Sequence, residues 1–422
     1  MREHIYSWKV RNTHPSRSHH PTLQRSHNMS NQPQAKPAPN LNLPKSDNVC
    51  EVAIIDTTCD LVCHPSTLIE PDIPSHEWLN LPTYSFYIKN KRSGEQVLFD
   101  LGSRRDWQNL VPHVYDVVSV RVPGLKVEKE VIDIIKDGGV NPDEIKAMIL
   151  SHWHYDHSGN ISRLNKKTDI VVGPGFKKAF EPGFPANPQS TFYEADFEGR
   201  KFIEPAFSDD FKIGGYQAHD YFGDGSLYVL NIPGHTTGHI SALVRTTPET
   251  FIFMGGDVCH FTGVIRPSQY IPLPDPIPKN TVLDPRLSAP CPCSIFTKCH
   301  PDQDNSRTSA FYRCSTGGPY GSWYDDPATA MQSIASLFEF DADPNVMVLI
   351  AHDSAPKDSL TFFPNGTLND WKSKGHKEAM HWHFVNELPV GGKQERNPLT
   401  DGLYRDDGQG LKKVKTMYGE PV

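Results

Sequence analysis

The chain has 422 residues, with 42 lysines and arginines against 50 aspartates and glutamates, and a formal charge of −8. That length holds one large or two medium domains with a sizeable core, and an acidic balance without a basic module argues against a nucleic-acid partner. No run approaches the roughly 20 apolar residues of a membrane-spanning helix, and eight cysteines without a secretory signal read as mostly reduced thiols of a cytoplasmic protein.

Residues 1–45 are rich in Pro, Ser, His, Asn and Gln and nearly free of acid, the composition of a disordered N-terminal extension. Arg2, Arg11, Arg17 and Arg25 with several serines weakly resemble a transit peptide, but Pro15 and Pro21 spoil an amphipathic helix, and Met29 is the favoured start. One domain is expected over 46–422. Val52 to Asp56 is strand-like. The alternating run from Leu81 to Ile88 and the run Val97 to Asp100 flank a polar turn and predict a β-hairpin. Asp100 ends an apolar strand and is placed to support a neighbouring loop by hydrogen bonding. Cys59, Cys63 and His64 lack the fourth ligand of a tetrahedral zinc site. Val127 to Gly138 has helical apolar spacing, and Ile145 to Leu150 is of strand length.

Ser151 to Gly159 follows, read Ser-His-Trp-His-Tyr-Asp-His-Ser-Gly. It carries four metal-binding side chains, His152, His154, Asp156 and His157, on a loop after a buried strand. Further short strands then end at His235, at Asp257 and at His352. One catalytic zinc needs three protein ligands and a water. Five histidines and two aspartates instead suit two ions sharing a carboxylate; zinc fits so many imidazoles, and iron, manganese or cobalt could occupy the same shell. We assign His152, His154 and His235 to one ion, Asp156, His157 and His352 to the other, and Asp257 to the bridge. Strands alternating with helices, each ligand following a strand, predict an α+β sandwich with its loops at one edge.

His-x-His-x-Asp-His, Gly234-His235, Gly256-Asp257 and His352 together resemble the metallo-β-lactamase superfamily, over roughly 82–353. Leu98-Phe99-Asp100-Leu101-Gly102 and Pro233 to His239 are most similar to the homoserine-lactone lactonase branch. The resemblance implies an αβ/βα sandwich with a dinuclear site in its cleft. It also implies hydrolysis of a lactone or lactam ring, with fungal relatives that open benzoxazolinone-type toxins. Where that branch has a substrate-binding tyrosine, three residues after the bridging aspartate, this chain has His260, a candidate to stabilise an oxyanion or protonate a leaving group. Asp156 is a candidate proton shuttle as well as a ligand, whereas His239 is expected to hold its loop.

A second departure is a Pro-, Ser-, Gly- and Cys-rich insertion over about 262–323, expected to shape the pocket as a lid. Within or near it Cys291, Cys293, Cys299 and Cys314 are a weak candidate for a structural zinc. The segment 364–422 reads as C-terminal packing or a partner surface. A metal-dependent thioesterase acting on an acyclic substrate is the alternative function. A non-catalytic binding role is disfavoured, because all seven ligands are present.

Overall fold

Runs of β-branched and aromatic residues fold here as two large sheets, in a computed structural model that describes residues 32–287, 289–394 and 396–422. The first sheet has nine strands, in the spatial order Leu411–Thr416, Gly402–Asp406, Gly124–Val127, Cys50–Cys63, Leu79–Asn90, Gln96–Phe99, Ile145–Ile149, Asp169–Val171 and Phe202–Ile203. The second has six, in the order Val346–Leu349, Phe251–Met254, Ile240–Arg245, Leu227–Asn231, Tyr216–Asp220 and Lys212–Ile213.

The two-residue period of a strand decides what each sheet buries. From the first sheet, Val52, Ile54, Phe86, Ile88, Val97, Phe99, Ala147 and Ile149 point inward. They meet Leu227, Val229, Ile240, Ala242, Ile252, Met254, Met347 and Leu349 of the second. The alternate residues serve the outer faces. Leu98, Met148 and Ile170 pack with Val131 and Ile135 of the helix Val131–Asp137. Leu243, Phe253 and Val348 pack with Ile334, Leu337 and Phe340 of the helix Pro327–Ala342. Each fully buried side chain of this kind contributes roughly 1.5–3 kcal/mol. Both sheets are therefore covered on both faces, as the expected αβ/βα sandwich requires. Asp326 caps the longer helix by accepting from the Thr329 amide, with Pro327 at its first turn.

Parallel pairing puts the functional loops on one edge. Gln96–Phe99 runs parallel to Ile145–Ile149, and Phe251–Met254 runs parallel to Val346–Leu349. Their C-terminal ends carry Asp100, the 151–159 loop, Asp257 and His352.

Three expectations need amending. The extension expected over 1–45 lies outside the described residues as far as 31. From residue 33 onward the chain is laid along the domain rather than disordered: Leu41 is fully buried and its carbonyl accepts from the Gly214 amide at 2.8 Å. The C-terminal segment does more than pack, since Gly402–Asp406 and Leu411–Thr416 form a hairpin that extends the first sheet. The four cysteines proposed for a structural zinc form no metal-binding group among the described residues, and all are free thiols. No described helix is long and apolar enough to cross a membrane.

Candidate metal centre

The strand Ile145–Ile149 ends in Leu150 and Ser151, and the chain then turns through one helical turn, Tyr155–Ser158. Gly159 ends that turn at φ +53°, and a Cβ there would stand 2.6 Å from Leu101 Cβ, so the turn closes against the Asp100 loop only with glycine. Gly256, also at φ +53°, brings the Asp257 loop against Ser151, where a Cβ would meet Ser151 Cβ at 2.9 Å.

These turns gather every predicted ligand into one buried cluster. His235 Nε2 lies 3.2 Å from His152 Nε2 and 3.1 Å from His154 Nδ1. Asp257 Oδ2 faces this trio, 3.5 Å from His152 Nε2 and 3.4 Å from His235 Nε2. Its other oxygen faces the second trio, with Oδ1 at 3.1 Å from His157 Nε2 and 3.2 Å from His352 Nε2. Asp156 Oδ2 completes that side, 3.5 Å from His352 Nε2 and 3.6 Å from His157 Nε2. His152, His154, His235 and Asp257 thus form one group of converging donors, Asp156, His157 and His352 a second, and Asp257, His260 and His352 a third.

The far nitrogens of the rings explain which ring atoms point inward. His157 donates from Nδ1 to Asp100 Oδ2 at 2.8 Å, and His352 donates from Nδ1 to the Pro82 carbonyl at 3.1 Å. Each Nε2 is thereby aimed at the cluster. Asp100 also accepts from the Ser151 amide and hydroxyl, both at 2.7 Å. It does so from a left-handed backbone, φ +59°. His239 behaves as expected of a loop-holding residue: Nδ1 donates to the Ile232 carbonyl at 2.9 Å, and Nε2 accepts from the Asp257 amide at 3.0 Å.

Burial drives the imidazoles of His152 and His235 far below their ordinary range, and pushes His154 down to about 3. They are neutral, lone-pair donors. Burial also opposes ionisation of Asp257, but the surrounding His157, His352 and His260 outweigh it and hold the carboxyl well below the usual carboxylate range. His157 Nε2 and Asp257 Oδ1 are buried without a hydrogen-bond partner although they face each other. Burial opposes protonation of His157 and His352, but Asp257 and Asp156 outweigh it and raise both imidazoles above their ordinary range. A bound cation would displace those protons, and the converging imidazoles and carboxylates are a donor set for divalent cations.

His260 is buried at the same centre, not turned to solvent. Its Nε2 lies 3.0 Å from Asp257 Oδ2, and its Nδ1 lies 2.8 Å from the Tyr324 hydroxyl. Sequence reading missed Tyr324. The only local sign of it is the Trp323-Tyr324 pair just before the helix start at Asp326-Pro327. That start is tied to the metal loop: the amides of Asp325 and Asp326 donate to the carbonyls of His235 and Gly234. Trp323 ends the insertion and stands edge-on to His154, 5.9 Å between ring centres. With Leu61, Leu68, Leu81 and Tyr155 it makes the apolar wall of the cavity in front of the ligands. Trp153 packs on Phe180.

The chain is similar to several known proteins. The Metallo-beta-lactamase superfamily model matches residues 79–255. Gamma-lactamase FDB1 of Fusarium pseudograminearum (strain CS3096) is 37% identical over 382 residues, covering 88% of each chain. Gamma-lactamase MBL2 of Gibberella moniliformis (strain M3125 / FGSC 7600) is 41% identical over 247 residues, 57% of this chain and 100% of that one. A crystal structure of a quorum-quenching N-acyl homoserine lactone lactonase aligns over 76% of this chain and 98% of its own, at 18% identity and TM-score 0.45.

Proposed function

Since the chain belongs to the metallo-β-lactamase superfamily of hydrolases, we propose that it opens the ring of a small-molecule γ-lactam or lactone with the help of two zinc ions. The observation that carries the reading is the two-sided Asp257 carboxylate, each oxygen of which faces a separate group of ligands. His152, His154 and His235 would hold one ion, Asp156, His157 and His352 the other, with Asp257 shared. Zinc at such a site polarises a carbonyl oxygen and lowers the pKa of bound water.

The chain's own side chains do the rest. Leu61, Leu68, Leu81 and Trp323 hold the apolar part of the ring and keep bulk water off one face of the carbonyl. Asp156 stands beside the ring nitrogens of His157 and His352, placed to accept a proton from the attacking water. The Tyr324 hydroxyl donates to His260 Nδ1, which leaves the His260 proton on Nε2, the nitrogen inside the cavity. Asp156 passes the proton it took from water to the departing ring atom, while His260 donates a hydrogen bond from Nε2 to the carbonyl oxygen. An amide nitrogen leaves only when protonated, so a built-in donor favours a lactam over a lactone. Two relatives that carry the name gamma-lactamase support the same order. Benzoxazolinone-type plant toxins are the first substrates to try.

The test is metal analysis of the purified chain together with hydrolysis of benzoxazolinone, an aromatic γ-lactone, a homoserine lactone and a thioester. Two zinc ions per chain and chelator-sensitive ring opening are expected, fastest on the lactam. One ion or none, with every compound intact after zinc reconstitution, would sink the reading. Turnover of the thioester alone would replace it with the thioesterase.

A further inference from the structure

The cavity against the ligands is small, about 30 Å³. That admits the reacting end of a substrate and not its whole body. A groove of about 510 Å³ adjoins it, lined by His64, Trp78, Arg121, Tyr320, Lys415 and Tyr418 among others. The two share two short segments, and neighbouring residues on each line one or the other. Cys63, Leu68 and Trp323 line the inner cavity, while His64, Thr67 and Tyr320 line the groove. Trp323 links them: it is edge-on to His154, and the Arg121 guanidinium covers its ring at 4.3 Å.

The groove is rich in flat surfaces. His64 lies 4.5 Å from Tyr320, nearly parallel at 10°, and 4.6 Å from Trp78. Tyr418 stands edge-on to Trp78 and is 82% exposed, a ring held in water at the groove's rim. The charged side chains of its lining are both cations, Arg121 and Lys415, with no carboxylate among them. Arg121 donates to the Tyr320 carbonyl at 3.3 Å and Lys415 to the Ser119 carbonyl at 2.7 Å. Backbone carbonyls leave the positive charge of both unneutralised. Aromatic faces suit a planar ring, and a guanidinium fork beside an ammonium suits a carboxylate.

We propose that this groove is a second subsite, which binds an aromatic carboxylate on the distal arm of the substrate while the scissile ring sits at the metal centre. The proposal rests on the ring-opening reading above and adds the substrate class to it. Arg121 and Lys415 are specificity determinants in it, not catalytic residues.

The test compares N-(4-carboxybenzoyl)homoserine lactone with its methyl ester on the zinc-loaded full chain, in the wild type, Arg121→Gln and Lys415→Gln. The readout is the ratio of KM values for ester and acid, in which any general effect of uncovering Trp323 cancels. In the wild type the acid is expected to have a KM about tenfold lower, the worth of one charged hydrogen bond, at similar kcat. The ratio falls to near one in Arg121→Gln and part of the way in Lys415→Gln. Equal KM values in the wild type, or a preference that survives both substitutions, overturns the subsite. If neither lactone is hydrolysed, the ring-opening reading has failed separately, and equilibrium binding of 4-acetamidobenzoate decides the groove. Binding that persists with chelator present and weakens about tenfold in Arg121→Gln supports it. No binding, or equal binding in the variant, overturns it.

Discussion

The two sides of the catalytic cavity are built differently. On one side the ligands hang from strand ends, and a further hydrogen bond fixes each key element: Asp100 for His157, the Pro82 carbonyl for His352, and His239 for the Asp257 amide. On the other side Leu68, Trp323 and Tyr324 come from loops, joined by sparse bonds such as the Trp323 amide to the Thr67 carbonyl at 3.1 Å. The strand-end side fixes reacting geometry to a fraction of an ångström. The loop side is free to differ in shape, and it selects what is presented to the ligands.

Breaking the strand-end side should have the largest effect. Asp257→Ala removes the carboxylate both groups share, and loss of metal-ion catalysis worth several kcal/mol lowers kcat/KM at least about a thousandfold. Metal content read beside the kinetics should fall too, and a variant that keeps most of its activity would place the chemistry elsewhere. Next comes the joint between the two sides. Arg266, at the start of the insertion, is buried and bonds Asp341 of the long helix at 2.7 and 3.1 Å. Arg266→Met strands a buried carboxylate and should cost about 3–5 kcal/mol by chemical denaturation. Burial opposes ionisation of Asp341, but Arg266 and His381 hold its carboxyl well below the usual range. A depressed carboxylate contributes stability above its unfolded pKa of about 4 and loses it as pH falls through the folded value. The gap between wild type and variant should therefore shrink between pH 7 and pH 3; a constant gap would show that the ion pair is not its source.

Smaller effects sharpen the contrast. Asp100→Asn keeps every ligand but loosens His157, and zinc affinity measured by chelator competition should fall about 10–100-fold. Tyr324→Phe touches only the loop side. Metal content should stay whole while kcat falls about tenfold, the loss of one buried hydrogen bond. Zinc lost from that variant would show that Tyr324 holds the cluster instead of His260.

What was legible in the chain follows the same division. His152, His154, Asp156 and His157 could be read because their convergence is set by local spacing, and His235, Asp257 and His352 because each follows a short apolar strand. Tyr324 could not, since its partner His260 is 64 positions away and only the folded insertion brings them together. Leu411–Thr416 has lysines at Lys412, Lys413 and Lys415, which suit an edge strand but hide the alternation that marks one. Composition likewise passed over Leu41 and Leu43, two apolar anchors in a proline-rich stretch.

Asp257 and His352 stand side by side because Phe251–Met254 and Val346–Leu349 pair in parallel, with the whole insertion looped out between them. Closing so long a loop adds only logarithmically to the entropy cost, but it delays the pairing relative to the hairpins of 212–254. His152, His154, His235 and Asp257 all precede the insertion, so during synthesis one set of donors is complete long before His352 has left the ribosome. Two ions bound as proposed would load in order, the second acting as a latch on the last strand to dock. Stopped-flow refolding with one and with two equivalents of zinc reads that order directly: the first equivalent should leave the slow phase of strand docking unchanged, and the second should suppress its reversal.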